Sequence, residues 1–120
     1  MPLDEIRRAV LQFRDARDWS RFHTLRNLIV SLNLEAAELL ELTQWKSDDE
    51  IEAVAAQSGD AKEREALGDE CADVLIYLIL IAEKAGIDLV EATRAKIEKN
   101  ALKYPVEKSR GSNRKYTHYA

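Results

Sequence analysis

Two pairs of acidic residues have the spacing that makes side chains neighbours on one face of a helix. Glu35 and Glu38 are three residues apart, and Glu70 and Asp73 repeat that spacing further along the chain. Residues three apart share a helix face. Glu35 and Glu70 also fall on the apolar stripes of their own segments, so each carboxylate interrupts a predicted core face. Two facing helices would bring the four carboxylates together.

Four carboxylates in one place require compensating positive charge. Like charges within several Å repel one another and lose hydration, which raises their pKa values. A divalent cation is the simplest compensation, and an all-oxygen ligand set favours Mg²⁺, with Mn²⁺ as a substitute, over zinc. Because Mg²⁺ usually takes only one or two protein carboxylates, we expect more than one ion per site. We predict Glu35, Glu38, Glu70 and Asp73 as metal ligands and catalytic residues, with Glu38 orienting or deprotonating a water.

The acidic pairs have two competing interpretations. A chain with 22 Asp and Glu residues contains glutamates three apart by chance, mostly on solvated helix faces. The position of Glu35 and Glu70 on apolar stripes favours the metal site instead. A di-iron helical bundle is another metal site, but it needs Glu-x-x-His pairs. Since histidine occurs only at His23 and His118, we set the di-iron site aside.

Aromatic residues accompany both acidic pairs. Trp45 follows Glu38 by seven residues and Tyr77 follows Glu70 by seven, which predicts a flat ring two turns along each acidic face. Trp19 and His23 lie in a polar segment that favours a turn. Singly, each tryptophan is more often a core residue, and a lone histidine is more often structural. Together with metal ions, the rings suit the base and sugar of a nucleotide.

A group of cationic and polar residues near the C-terminal end suggests phosphate binding. Lys96, Asn100, Lys103 and Tyr104 share one face of a predicted helix. Cations beside a metal cluster would bind the phosphates of the same ligand. A solvated helix face closed by a tyrosine is the simpler alternative, and for Lys103 alone we favour it.

Hydrophobic periodicity and the scarcity of breakers predict an all-α, four-helix bundle-like subunit with a short extra helix between helices two and three. One helical domain is expected over residues 1–105, followed by a basic tail over 106–120. The first helix has a predicted N-cap at Asp4, and the second is expected over about Leu25 to Gln44. Ser47 and Glu50 form a predicted capping box for the short helix through Ala56, which a loop over residues 57–60 follows. The third helix is expected from about Lys62 to Lys84 with Gly86 as its C-terminal cap, and the fourth starts at a capping box of Asp88 and Glu91 and stops at Pro105.

Composition excludes several functional classes. The formal net charge of −4 leaves the chain as a whole without a basic surface for nucleic acid. The longest apolar run, Val74 to Ala82, is about half of a membrane span. The acidic start lacks an apolar signal core, and the single Cys71, expected to be a buried thiol, fits a reducing compartment. We therefore expect a cytoplasmic protein that is neither exported nor bound to membranes.

Five motifs of the chain stand out together. They are Arg17-Asp18-Trp19 through Asn27, Glu35-Ala36-Ala37-Glu38-Leu39, Gln44-Trp45-Lys46, Asp69-Glu70-Cys71-Ala72-Asp73 through Tyr77, and Lys96 through Lys103-Tyr104-Pro105. With these motifs, about residues 6 to 105 of the chain resemble the MazG-like all-α nucleoside triphosphate pyrophosphohydrolases, and among them the dCTP pyrophosphatase branch. Leu34 stands where many relatives have an additional glutamate, which fits that branch.

The resemblance implies an enzyme that hydrolyses a nucleoside triphosphate, dCTP or a modified dCTP, to the monophosphate and pyrophosphate and so removes unwanted nucleotides from the pool. It implies a homotetramer built from dimers, with sites between paired subunits. By this likeness the four acids bind Mg²⁺. The substrate-binding residues would be Trp19, His23, Trp45 and Tyr77 around the base and sugar, and Lys96, Asn100 and Tyr104 at the phosphates.

Two functions from other classes remain alternatives. One is a non-catalytic helical module that binds a nucleotide or a partner helix. The other is a nucleic-acid-binding bundle that uses the tail, where four Lys and Arg residues outnumber the single Glu107. The tail itself has two interpretations: a disordered end, which is the simpler one, or an arm that packs on a neighbouring subunit through Tyr116 and Tyr119.

Overall fold

The computed structural model describes residues 2–56 and 59–119, and these are helices joined by turns, with no strand in the described ranges. The all-α prediction is confirmed. Six α-helices are present there, one more than the sequence predicts. Short 3-10 helices cover Ser20–Phe22 and Tyr116–His118. The α-helices are α1 (Leu3–Ala16), α2 (Leu25–Glu41), α3 (Asp48–Ala55), α4 (Ala61–Ala85), α5 (Leu89–Lys103) and α6 (Val106–Ser109).

The first compact unit extends to Gly86 and is organised around α4. This helix packs against α2 most extensively and also against α1 and α3. Leu28 of α2 and Ile79 of α4 are each only 2% exposed, so the core lies where these two helices meet. The long α2 to α4 contact therefore determines where the acidic residues of both helices are placed.

Local sequence signals explain where these helices begin and end. The Thr24 hydroxyl accepts the amide of Asn27 at 3.1 Å and starts α2, and the Ser47 hydroxyl accepts the amide of Glu50 at 3.2 Å and starts α3. Asp60 accepts two amides at the start of α4. Gly86 ends α4 with a φ of 68°, a left-handed conformation that costs glycine little.

The second compact unit begins at Ile87 and contains α5, α6 and the last 3-10 helix. Asp88 caps α5 by accepting the amide of Glu91, as the sequence predicts. Tyr104 makes edge-to-face contacts with Tyr116 at 5.8 Å and with Tyr119 at 5.9 Å between ring centroids. The simpler interpretation of the tail as a disordered end is therefore wrong, because aromatic packing orders it.

Three local expectations have a different outcome, and a fourth lies partly outside the described residues. Asp4 does not cap α1, since the helix begins at Leu3 after Pro2 and the Asp4 carboxylate pairs with arginines one turn on. The predicted loop over 57–60 includes residues 57 and 58, which lie outside the described residues. Cys71 is exposed rather than buried, because it shares an outward strip of α4 with Leu75 and Leu78. α2 ends at Glu41 rather than Gln44.

None of the helices in the described part of the chain combines the length and the hydropathy that a bilayer span requires.

Candidate functional site

Three of the predicted acids form a cluster between α2 and α4. One carboxylate oxygen from each of Glu35, Glu38 and Glu70 lies within 4.8 Å of the others. Glu35 and Glu38 are neighbours on α2, and the α2 to α4 packing brings Glu70 against them. Glu38 is exposed, whereas Glu35 and Glu70 are half-buried. The facing arrangement of the two acidic helices is thus present in the fold.

The two half-buried carboxyl groups hold protons more tightly than ordinary glutamates. The pKa of Glu35 is raised from its usual 4.5 to about 7. Burial is the largest cause, and the carboxyl of Glu38 and the charges of Asp73 and Glu70 are the others. The pKa of Glu70 is also raised, first by burial and then by Glu38, Asp73 and Asp69. Asp73 therefore acts on the cluster electrostatically, although it is not one of the three acids in closest approach.

The cluster has the properties of a cation site. The Oε2 atoms of Glu35 and Glu70 are buried and find no hydrogen-bond donor among residues 2–56 and 59–119. Buried polar atoms are normally paired, so a carboxylate oxygen that is buried without a donor among the described residues favours the binding of a cation. Oxygen donors of this kind suit a hard divalent cation. Glu35, Glu38 and Glu70 would hold it, with Asp73 beside them.

A groove of about 640 Å³ adjoins the carboxylates and is mostly apolar. It is bounded by α1, by the turn after α1 and by α4. Four of the predicted site residues besides Glu35 line it, namely Trp19, His23, Asp73 and Tyr77. Phe13 also lines the groove, so the structure joins one end of the acidic cluster to a pocket with four ring-bearing side chains, an arrangement that suits a nucleotide.

A strained turn positions Trp19. Asp18 has a φ of 54°, an uncommon conformation for a residue with a side chain, and it redirects the chain after α1. The Trp19 ring packs edge-to-face on Phe13 at 5.7 Å, and the Arg17 guanidinium lies 3.6 Å from the centre of the Phe13 ring. Because Trp19 remains 45% exposed, part of its ring surface can still contact a ligand in the groove.

His23 lies between the groove and a smaller cavity of about 250 Å³ that it shares with Arg14. Burial lowers the pKa of His23, and the charge of Arg14 lowers it further. Its Nδ1 atom is buried without a hydrogen-bond partner in the described ranges. A neutral ring with an unpaired nitrogen can exchange a hydrogen bond with a ligand.

Trp45 is not part of this groove, although the sequence expects it on the face of Glu38. That expectation is wrong because α2 ends at Glu41. The Thr43 hydroxyl donates to the carbonyl of Leu40 at 2.7 Å and the chain leaves the helix in a turn. Trp45 has a φ of 66° and is 93% exposed. A bulky residue in this conformation is rare and strained, and such strain is typical of functional positions.

The predicted phosphate-binding residues Lys96, Asn100 and Tyr104 belong to the second compact unit. The first two lie on α5, and Tyr104 is its C-terminal flanking residue. Tyr104 is held by Tyr116 and Tyr119. The role of these residues at the phosphates stays a prediction.

One residue of the groove was missed from the sequence. Arg14 lines both the groove and the smaller cavity, its side chain is only 20% exposed, and its Nε donates to the Asp15 carboxylate at 2.8 Å. Periodicity places it on the polar face of α1. The available signal was its spacing of four residues from Val10, which also lines the groove.

Comparison with known proteins shows the same family. The model of the MazG-like family matches residues 30–118. The chain is 47% identical over 115 residues to dCTP pyrophosphatase 1 of Mus musculus and 44% identical over 115 residues to that of Homo sapiens. In both cases the match covers 96% of this chain and 66% of the relative, so the chain spans just under two thirds of the relatives' length.

A solved structure supports the fold. A pyrophosphatase from Archaeoglobus fulgidus superposes with a TM-score of 0.75 at 41% identity, covering 86% of this chain and 92% of that one. The family match over most of the chain, together with the facing acidic helices, identifies this chain as a member of the MazG-like family.

Proposed function

We propose that this protein is a divalent-metal-dependent nucleoside triphosphate pyrophosphohydrolase that acts on dCTP or a modified dCTP. A water attacks the α-phosphorus, the bond between that phosphorus and the oxygen bridging to the β-phosphate breaks, and the products are the monophosphate and pyrophosphate. The names of the relatives, two dCTP pyrophosphatases and an archaeal pyrophosphatase, support this assignment. Such an activity would remove unwanted nucleotides from the pool.

The observation that carries the proposal is that Glu35 and Glu70 each bury a carboxylate oxygen with no hydrogen-bond partner among the described residues, and that Glu35 also lines a groove with aromatic walls. A triphosphate carries a charge of about −4, and four carboxylates carry as much, so the two repel each other without cations between them. Mg²⁺, in more than one copy and replaceable by Mn²⁺, would neutralise this repulsion and activate water as a Lewis acid when bound.

Side chains of the protein would activate the water and bind the base, the sugar and the phosphates. Glu38 is the exposed member of the cluster, which leaves it accessible to water, and we assign to it the orientation or deprotonation of the attacking water. Trp19, His23 and Tyr77 would contact the base and the sugar in the groove. Trp45, which projects from the turn after α2, would stack on the base, and Lys96, Asn100 and Tyr104 would bind the phosphates.

Product analysis tests the proposal directly. A panel of canonical and 5-substituted nucleoside triphosphates is incubated with the full chain and Mg²⁺ in ¹⁸O-labelled water. We expect monophosphate and pyrophosphate in equal amounts, with the label on the monophosphate and with cytosine nucleotides preferred. Label in pyrophosphate, or release of inorganic phosphate, contradicts attack at the α-phosphorus. Binding that needs Mg²⁺ but releases no product identifies a non-catalytic nucleotide-binding module instead.

We also propose that the chain works as a homotetramer built from dimers. Several large apolar side chains of α2 are exposed, and an uncovered apolar surface of this kind usually marks an interface. The exposed residues of α2 are Leu25, Ile29, Val30, Leu34 and Leu40. A second copy of the chain that also covers Cys71, Leu75 and Leu78 would bury the exposed strip of α4.

A further inference from the structure

The second compact unit contains a cavity of its own. It has a volume of about 260 Å³ and is formed by the chain after α5, well separated in sequence from the acidic cluster. Its lining contains three residues with basic side chains and two hydroxyl groups, and no carboxylate from the described residues. The lining residues are Lys108, Ser112, Arg114, His118 and Tyr119.

The cavity has a defined wall because the end of the chain is packed in place. The Tyr119 ring contacts Tyr104 edge-to-face, and the backbone turns at Gly111, which has a φ of 74°. The amide of Arg114 donates to the Ser112 hydroxyl at 3.2 Å, which fixes the backbone between these two lining residues. The Ser112 hydroxyl hydrogen stays available for a ligand.

An unpaired polar atom lies in this wall. The Tyr119 hydroxyl oxygen is buried and has no hydrogen-bond partner in the part of the chain that the structure describes. Burying a hydroxyl without a partner costs free energy, so the position favours a bound group that accepts the phenolic hydrogen. The Arg114 guanidinium likewise makes no ion pair with a carboxylate of residues 2–56 or 59–119, since every ion pair there involves other residues.

We propose that this cavity is a binding site for a phosphate-class anion, either inorganic phosphate or pyrophosphate. The guanidinium of Arg114 presents two parallel N–H donors, which match the oxygens of a phosphate group. The hydroxyls of Ser112 and Tyr119 supply two further donors and Lys108 adds positive charge. A single carboxylate offers only two oxygens for this many donors, whereas a phosphate group offers three or four. The volume also admits a second phosphoryl group.

This site is independent of the proposed hydrolase site in its chemistry. Acceptance of a triphosphate by the acidic cluster requires divalent cations, because both partners are anionic. The cavity of the second unit is basic and binds an anion without metal. The two proposals can therefore fail separately.

Titration of the full chain with inorganic phosphate and with pyrophosphate, in EDTA and at constant ionic strength, tests the proposal. Binding is followed by calorimetry and by amide NMR shifts. We expect saturable binding with shifts concentrated at residues 108–119. Arg114→Ala should weaken it at least tenfold, and Tyr119→Phe, which keeps the ring packed on Tyr104, should weaken it several-fold. Lys115→Ala is the matched control, because it removes the same charge one residue away but does not line the cavity.

The outcomes separate this site from its alternatives. Equal weakening by Arg114→Ala and Lys115→Ala, or shifts spread over the basic residues of the chain, would overturn the proposal in favour of general charge attraction. Tighter binding of a single-stranded oligonucleotide than of pyrophosphate, with a steep salt dependence, would overturn it in favour of nucleic-acid binding. Glu38→Gln should leave the metal-free titration unchanged. Binding that appears only when Mg²⁺ replaces EDTA, and that Glu38→Gln removes, would mean that the anion occupies the acidic cluster instead.

Discussion

A carboxylate oxygen of Glu35 on α2 and one of Glu70 on α4 lie within 4.8 Å of each other, and the Oε2 atom of each residue is buried without a hydrogen-bond partner in the described ranges. Two like charges in this position oppose folding unless a proton or a cation compensates them. The fold itself therefore predicts how the protein should respond to metal, pH and charge removal.

Removal of one carboxylate should abolish activity without unfolding the chain. Glu38→Gln and Asp73→Asn keep the side-chain volume and relieve repulsion, so we expect undetectable turnover of dCTP and unchanged helical circular dichroism. Glu41→Gln is the matched control, because Glu41 is an exposed acid at the end of α2 outside the cluster. Turnover that persists in either cluster variant with added Mg²⁺ would remove that residue from the site.

A rise in pH and the binding of Mg²⁺ should change the folding stability in opposite directions, and both effects should act through Glu35. Its pKa of about 7 in the folded protein lies above the usual 4.5, so the folded state holds this proton more tightly than the unfolded state does. In the metal-free protein the carboxyl group therefore contributes stability that is fully present below pH 4.5 and is lost as the pH rises through 7. Mg²⁺ binds the ionised form, so its affinity should fall below pH 7. At 100 times its dissociation constant, Mg²⁺ should stabilise the fold by about 2.7 kcal/mol.

Thermal melts of the wild-type chain and Glu35→Gln at pH 5 and pH 8, in EDTA and in Mg²⁺, measure these effects. The neutral variant should lose part of the pH dependence in EDTA and most of the stabilisation by Mg²⁺. If its melting temperatures follow those of the wild type in all four conditions, Glu35 neither titrates in this range nor binds the ion.

The helices and the acidic cluster could be predicted from the sequence because local rules and one burial conflict determine them. Ser47, Asp88 and Gly86 act as caps at the predicted positions. Glu35 places a charged group on an otherwise apolar helix face, and this conflict between charge and burial indicated the acidic cluster. Such signals depend on residues close together in the chain, and they survive in the folded protein.

Other features depend on contacts that periodicity does not encode. α2 ends at Glu41, just before the Thr43 hydroxyl donates to the carbonyl of Leu40, and the turn that follows takes Trp45 away from the face of Glu38. Arg14 has the spacing of a polar-face residue, yet it lines the groove and its side chain is only 20% exposed. The tyrosine packing that orders the tail joins residues after Pro105 to Tyr104, which no short pattern predicts.

His23 should remain neutral at a lower pH than an ordinary histidine does. Burial and Arg14 lower its pKa, so it contributes stability that is present above pH 6.5 and lost as pH falls through the folded pKa. NMR titration of His118→Gln, in which His23 is the only histidine, measures the folded value. Arg14→Gln in the same background should raise it. A value at or above 6.5 would contradict the buried, neutral ring.

Self-association should depend on the exposed apolar face of α2. Val30 is 48% exposed, and a glutamate there would place a charge in any interface that covers this face. We expect Val30→Glu to shift sedimentation toward smaller species at equal concentration. Gln12→Glu, which adds the same charge on an exposed position of α1, should leave the distribution unchanged. Identical distributions for the wild type and Val30→Glu would mean that α2 is not the interface.

Trp45 should affect substrate binding far more than stability. Because its side chain is 93% exposed, Trp45→Ala removes almost no packing, and relief of its positive φ does not depend on the ring. If the indole stacks on the base, the variant should lose about 1–3 kcal/mol of binding, whereas Trp45→Phe should retain part of it. Trp19→Ala provides the contrast, because it loses the contact with Phe13 and should lower the melting temperature as well. Steady-state kinetics with thermal melts separate the two effects, and an unchanged kcat and KM for Trp45→Ala would exclude the ring from the site.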